Sequence, residues 1–337
     1  MSRKVLGLDI RSNRVSAVLV KSSLRESRIA ACLTVPIPEA ASDPAGAWRA
    51  ALEAVAGKMD LEGADCAVSM PAVFFSTRTL RVPFVNAKKI RMVLPFEMEP
   101  SLPFQADDLA IDFSLLPGAS RPDETEVLAV AVEKVRLAAV LDALAGIAID
   151  PERVTLSGLS SAAWIGRSAA PEDALLCLDL SQTFGALFLV ATNAVRLIRS
   201  FPLPADPPAR ARAVQSHVRT TLGAIAEIEG LPQEPSEGIV TGDGWEGLDI
   251  DALSSSWKLA LSPADLRASL NVHIEDALLP SWDAARMDGA LALALAEIEG
   301  VECLNFHRGQ FPGKKIVARY RTPLIRTGAL AAVVLLL

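Results

Sequence analysis

The first 310 residues hold no basic stripe, and the whole chain carries a net charge of −7. Nucleic-acid recognition needs clustered lysine and arginine along one face, so that class of partner is excluded. Cysteine is scarce. Cys32, Cys66, Cys177 and Cys303 are widely scattered, most of them inside apolar runs, which reads as buried reduced thiols and not as a disulfide framework. Histidine is scarcer still, and none of His217, His273 and His307 lies near a cysteine at ligand spacing, so no Cys/His metal site is expected. The opening MSRKVLGLDI enters a strand at once and leaves no room for a signal peptide.

What the chain does have is a repeat. With 337 residues, 51% of them hydrophobic, it is too long for one core and divides into at least two lobes. Residues 5–20, VLGLDIRSNRVSAVLV, are echoed by residues 175–190, LLCLDLSQTFGALFLV. Each copy is an apolar strand ending in Leu-Asp (Leu8-Asp9, Leu178-Asp179), a short polar turn and a second apolar strand. A third strand closes on Val35-Pro36-Ile37-Pro38 in one half and Phe201-Pro202-Leu203-Pro204 in the other. We read a duplicated unit. A carboxylate at a strand end has no place in a core, so Asp9 and Asp179 face a cleft or cap their turns. Two such hairpins facing each other make a clamp with one carboxylate from each half at its mouth.

That clamp resembles the actin-like ATPase superfamily. The resemblance implies a duplicated ribonuclease-H-like α/β fold in which the two turns hold nucleotide phosphates and the two Asp residues organise magnesium. On this basis Asp9, Arg11, Ser12 and Asn13 of the first turn, and Asp179, Ser181, Gln182 and Thr183 of the second, are the candidate nucleotide-binding residues, with Asp9 and Asp179 serving the metal.

The rest of the chain fits this plan. Strands at 5–10, 14–21 and 28–36, a helix at about 46–58 and a strand at 65–70 make one half. Residues 72–133 have no echo and read as an α+β insert. It begins with a half-exposed strand at 78–84, then a helix from Ala87 to about Phe96 that Pro95 kinks or ends, then strands at 109–116 and 126–132. A helix at Lys134–Ala145 and a strand near Val154 finish the first lobe, which spans 1–71 and 134–172. In the second lobe, 173–312, a helix runs over Pro208–Gly230, and GIVTGDG (238–244) is a strand with a glycine-rich turn. By the superfamily resemblance Gly242 and Gly244 let backbone lie against adenosine. Residues 250–284 are poorly patterned, and Met287–Ile298 is an Ala/Leu helix.

The insert narrows the resemblance. SMP near residue 70, RTLRVPF (78–84), PFEMEPSLPF (95–104) and EVLAVAVEKV (126–135) are similar to the branch containing the type IV pilus protein PilM and the cytoplasmic domain of the type II secretion protein GspL. In that branch a run similar to LNFxxGxF, here 304–311, marks the exit toward the membrane. Lys314, Lys315, Arg319, Arg321 and Arg326 follow within a basic segment, 313–326, and then the uncharged stretch 327–337. We expect that stretch to be the start of a membrane span, with the lobes on the cytoplasmic face of a bacterial inner membrane by the positive-inside rule.

The turns depart from the family. Pilus relatives have a first turn similar to D-I-G-S-x-x-V-K; here Arg11 replaces the glycine and Ser16 the lysine. Ser181 stands where the second turn would have glycine, and Asp243, between the glycines, would repel polyphosphate. If these turns need φ > 0, a Cβ costs about 1 kcal/mol or more. No cofactor is therefore expected; ATP with magnesium is the one candidate, and a weak one. The reading is a non-catalytic scaffold, with an actin-like ATPase or a sugar-kinase-like phosphotransferase as the alternative. By resemblance the scaffold's partners are the N-terminal domain of a secretion motor ATPase, neighbouring inner-membrane platform subunits and a second copy of the chain. Lys88, Lys89, Arg91, Met92 and Phe96 on the insert, charged rim beside apolar anchors, are the candidate interface.

Overall fold

A computed structural model describes residues 3–307 apart from 24–25, 38–43, 118–123, 171–172, 226–227, 229–230, 232–233 and 302–303. Cys303, Gly230, the basic segment 313–326 and the stretch 327–337 lie outside the described residues. Among the described residues no helix is long and apolar enough to cross a membrane.

The chain opens with an antiparallel meander, β1 (Arg3–Ile10), β2 (Arg14–Ser22) and β3 (Ser27–Pro36); α1 (Pro44–Lys58) then crosses to β4 (Asp65–Met70), parallel to β1. Next come β5 (Phe75–Val82), α2 (Ala87–Met98), β6 (Leu109–Leu115) and β7 (Thr125–Glu133). After them α3 (Lys134–Ala145), β8 (Arg153–Leu156) and α4 (Leu159–Ser168) complete the half. The second half repeats the opening: β9 (Ala174–Leu180), β10 (Phe184–Ala191), β11 (Ala194–Pro202), α5 (Pro207–Ile225) and β12 (Glu237–Thr241). Its end holds α6 (Ile250–Trp257), β13 (Ala260–Pro263), α7 (Leu266–Ser269), β14 (His273–Ile274) and α8 (Ala284–Glu299). The strands form three sheets, ordered β14-β3-β2-β1-β4-β8, β11-β10-β9-β12-β13 and β5-β7-β6.

β1 and β9 are apolar almost throughout because elements cover both faces of their sheets, the usual reason a strand loses its alternation. The helix covering β1 is α8. It packs on β1, β2 and β4, and β14 adds to the edge of β3. Conversely α4, from the first half, packs on β10 and β11 as well as on α8. The halves therefore exchange helices across their shared centre. Small residues make this approach close: a Cβ on Gly7 would sit 1.8 Å from the Ala290 carbonyl oxygen of α8. Gly7→Ala must push a whole helix away, so we expect chemical denaturation to show a loss of about 1–3 kcal/mol.

The insert is held from both faces of one strand. In β7, Val127, Ala129 and Ala131 face α2 together with Ile90, Leu94 and Met98. The alternate residues Leu128, Val130 and Val132 face the main core. β5 starts at Phe75, earlier than the alternation at 78–84 suggests, because Phe75 is buried against Phe306 at a centroid distance of 5.0 Å. Pro95 does not end α2; buried Leu94 and Met98 carry the helix through it.

Asn305 and Phe306 are pinned to β6 and β8. Asn305 N–H donates to Asp112 Oδ2 at 2.8 Å, Asn305 Oδ1 accepts from Val154 N–H at 3.1 Å, and Phe306 N–H donates to the Val154 carbonyl at 2.8 Å. Cys66 and Cys177 are buried and Cys32 is half-buried; burial pushes the Cys177 thiol up to about 12.

Candidate functional site

The repeated hairpins meet where the two halves touch. β1 places Asp9, its penultimate residue, beside Ser69 of the parallel strand β4, and β9 places Asp179 beside Thr241 of β12 in the same register. Each hydroxyl donates to its neighbouring carboxylate, Ser69 Oγ to Asp9 Oδ1 at 2.6 Å and Thr241 Oγ1 to Asp179 Oδ1 at 3.0 Å. Ser157 Oγ, just after β8, lies 3.0 Å from Asp9 Oδ1.

Between the two carboxylates stands Arg11. Its Nε donates to Asp9 Oδ2 at 2.7 Å. Its Nη1 and Nη2 reach Asp179 Oδ2 at 2.9 Å and Oδ1 at 3.0 Å, a bidentate contact 168 positions away in the chain. All three side chains are buried, Arg11 being 6% exposed. Burial alone would push the Asp9 carboxyl up; Arg11, the Ser69 hydroxyl and Arg14 together hold it below the usual carboxylate range. Arg11 is held above its ordinary value: burial opposes its charge, but Asp179 and Asp9 outweigh that.

A second pair lies beside the first. Arg14 Nη1 donates to Asp243 Oδ1 at 2.7 Å, and half-exposed Arg286 of α8 approaches Asp243 at 3.7 Å. Burial and then repulsion from Arg11 lower the Arg14 guanidinium from its usual value. Its Nε and Nη2 are buried without a hydrogen-bond partner among the described residues. The turns themselves touch, with Ser12 Oγ 2.6 Å from Thr183 Oγ1 and Gln182 Nε2 donating to the Asp243 carbonyl at 3.2 Å. Asn13 stays local, its carbonyl accepting from Ile37 N–H at 2.7 Å. Ser181 closes its own turn, Oγ donating to the Phe184 carbonyl at 2.7 Å.

Three sequence expectations change here. Neither Arg11 nor Ser181 has a positive φ, so replacing glycine at these turns introduces no left-handed strain. Gly242 (φ +82°) and Gly244 do serve a close approach, but to protein: added Cβ atoms would meet the carbonyl oxygens of Leu180 and Ser181 at 2.1 Å. Asp243 is neutralised by Arg14 and Arg286 instead of facing open cleft. The cavity left beside Arg11, Ser12, Ser157, Asp179 and Ser181 measures about 20 Å³. Ligand pockets run to roughly 300–1,000 Å³, so the space beside Arg11 does not itself take a nucleotide. The residues do not fit a magnesium ion either, since a guanidinium occupies the bridging position between its two expected carboxylates.

Sequence reasoning passed over Ser69, Ser157, Thr241 and Gly158. The first and third carry a readable signal, a hydroxyl near the end of the parallel strand in both halves, in SMP and in VTG. Gly158 (φ +83°) is needed because a Cβ there would meet Asp179 Oδ2 at 2.8 Å. Of the insert residues, Lys88, Lys89, Met92 and Phe96 are exposed on α2. Arg91 is exposed as well, and it pairs with Asp112 at 2.8 Å and lies 5.1 Å from the Phe113 ring centroid.

Residues 7–164 match the family model described as type IV pilus assembly protein PilM. Among solved structures, a PilM–PilN type IV pilus biogenesis complex is similar over 89% of this chain and 99% of that one, at 18% identity and a TM-score of 0.71. The cytoplasmic domain of EpsL, an inner-membrane component of the type II secretion system of Vibrio cholerae, matches at 14% identity and a TM-score of 0.51, covering 92% and 100% of the two chains. A Bacteroides thetaiotaomicron protein with an actin-like ATPase fold matches at 11% identity and a TM-score of 0.50, covering 87% and 96%. At these identities the structures establish the fold, which is the actin-like one. No curated protein matches the chain.

Proposed function

We propose that this chain, an actin-like domain of the PilM and GspL family, is a non-catalytic scaffold of a type IV pilus or type II secretion assembly. It joins a cytoplasmic motor ATPase to the inner-membrane platform, working from the cytoplasmic face and anchored through a membrane span that starts within residues 327–337. The observation that carries the non-catalytic reading is Arg11. A guanidinium fixed by three contacts between Asp9 and Asp179 supplies, from the chain itself, the positive charge that a magnesium ion would bring to such a pair of carboxylates. The lobes are then held in one relative position without a ligand, as a docking platform requires. The surface offered to partners includes the insert, with Lys88, Lys89, Met92 and Phe96 outward.

Two measurements test this. The whole chain should bind the N-terminal domain of its motor ATPase with the same affinity in the presence and absence of MgATP, and Asp9→Asn/Asp179→Asn should not make binding nucleotide-dependent. A requirement for MgATP, or turnover of ATP by the isolated chain, would contradict the scaffold reading. In cell fractionation the chain should resist carbonate extraction from membranes, and recovery in the soluble fraction would remove the anchor.

A further inference from the structure

Where β4 and β8 begin, a groove of about 750 Å³ opens between the end of α1, the turn into β4 and the turn from α3 into β8. Met59, Leu61, Ile147 and Ile149 give it apolar walls, and its charged lining is all acidic: Glu62, Asp65 and Glu152. Two cations beside it are already matched. Arg3 pairs with Asp65 at 3.1 Å and Lys4 with Asp60 at 2.8 Å, which leaves Glu62 and Glu152 to set the sign of the groove. Apolar walls with an acidic rim suit a segment whose apolar side chains are flanked by basic ones.

The chain carries such a segment and delivers it to this place. Its last described residues are tied to the turn that forms one wall. Asn305 Nδ2 donates to the Glu152 carbonyl at 3.0 Å, while His307 Nδ1 lies 2.6 Å from the Pro151 carbonyl oxygen and Nε2 lies 3.7 Å from Asp150. The sequence that follows, 308–326, holds Arg308, Lys314, Lys315, Arg319, Arg321 and Arg326 and no acidic residue, so the acidic excess of the chain lies in the lobes. Within it Ile316 and Val317 stand between Lys314-Lys315 and Arg319, apolar between basic, the complement of the groove. The stretch from His307 to Lys314 reaches at most about 25 Å, more than the width of a groove of this volume. So short a tether also sets an effective concentration on the order of millimolar, which populates even a weak contact. We infer that the basic segment docks back into this groove, Ile316 and Val317 on its apolar walls and Lys314, Lys315 and Arg319 against Glu62 and Glu152. Where a membrane span starts within 327–337, as proposed above, this contact turns the β4–β8 end of the first lobe toward the bilayer.

Trypsin digestion of the whole chain in mild detergent tests it, with cleavage after Arg319 and Arg321 followed by mass spectrometry. In the parent these bonds should be cut slowly at low salt and about fivefold faster in about 1 M salt, which screens charges beyond about 3 Å. Glu62→Lys/Glu152→Lys should bring about the same acceleration at low salt, and adding Lys314→Glu/Lys315→Glu should restore the parent rate to within about twofold. Ile316→Ser/Val317→Ser, which alters no residue of the lobes, should accelerate cleavage and leave the melting temperature unchanged. The parent rate should not vary with chain concentration, as a contact within one chain requires. Fast cleavage of the parent, or a rate indifferent to Glu62→Lys/Glu152→Lys, would overturn the docking. Protection that grows with concentration would give the groove to a second copy, and protection seen only with phosphatidylglycerol vesicles would give the segment to lipid; each would overturn it. A chain that fails these tests yet binds its motor ATPase would overturn the docking and leave the scaffold reading intact.

Discussion

Replacing Arg11 by alanine is expected to lower the unfolding free energy by about 3–5 kcal/mol, the range for removing one partner from a buried ion pair. The loss comes chiefly from what remains: Asp9 and Asp179, both buried, face each other with no cation between them. Arg14 cannot substitute, because its Nη1 is committed to Asp243. The triple variant Arg11→Ala/Asp9→Asn/Asp179→Asn should therefore recover most of the loss, although it removes more of the network than the single change. The pH dependence gives an independent check. Asp9 titrates lower in the folded chain than in the unfolded one, so its contribution is present above about pH 4 and is lost as pH falls through the folded value. In Arg11→Ala that acid-labile part should shrink. Urea titrations at pH 7 and at about pH 2.5 measure both effects. A loss under 1 kcal/mol in the single variant would mean that the bridge does not hold the lobes.

Asp288→Asn is expected to stabilise the chain by about 2–4 kcal/mol at pH 8 and by little at pH 4. Asp288 sits on α8, buried, with Oδ2 accepting from Leu266 N–H at 2.7 Å and Oδ1 without a hydrogen-bond partner among the described residues. Burial first, and then Asp265, push its carboxyl up to about 7, against the opposing pull of the Leu266 N–H and Arg267. Here the sign is the reverse of that for Asp9. The unfolded carboxyl ionises near pH 4 and the folded one near 7, so the folded state holds the extra proton between them and stability falls as pH rises through that window. Asparagine keeps the bond to Leu266 and carries no charge to bury. Melting temperatures of parent and variant should converge at pH 4 and separate by pH 8. Parallel profiles would show that Asp288 ionises normally.

The legible parts of this chain were the local ones. Leu8-Asp9 and Leu178-Asp179 announce their hairpins because strand, turn and carboxylate lie within a few residues, and duplication supplied a second reading of the same pattern. The candidate turn residues Asp9, Arg11, Ser12, Asp179, Gln182 and Thr183 do come together. What they do there was not legible. Whether Arg11 points to solvent, to phosphate or to Asp179 depends on the packing of two halves far apart in sequence. Strain at the turns was expected from glycine replacement alone, but the backbone keeps φ negative, and sequence carries no sign of that. Residues 250–284 resisted patterning because α6, β13, α7 and β14 are all short and mostly edge elements. The placement of α8 on the first sheet was missed for a related reason: its Ala/Leu pattern shows that it is buried, not which sheet it covers.

The central claim is that Arg11 closes the clamp to nucleotide. Isothermal titration of the whole chain with ATP in excess magnesium tests it most directly. The expected result is no saturable heat up to millimolar nucleotide, for the parent and for Asp9→Asn/Asp179→Asn alike. One-to-one binding by the parent that the double variant loses would show that the arginine gives way to a nucleotide, and would contradict the account.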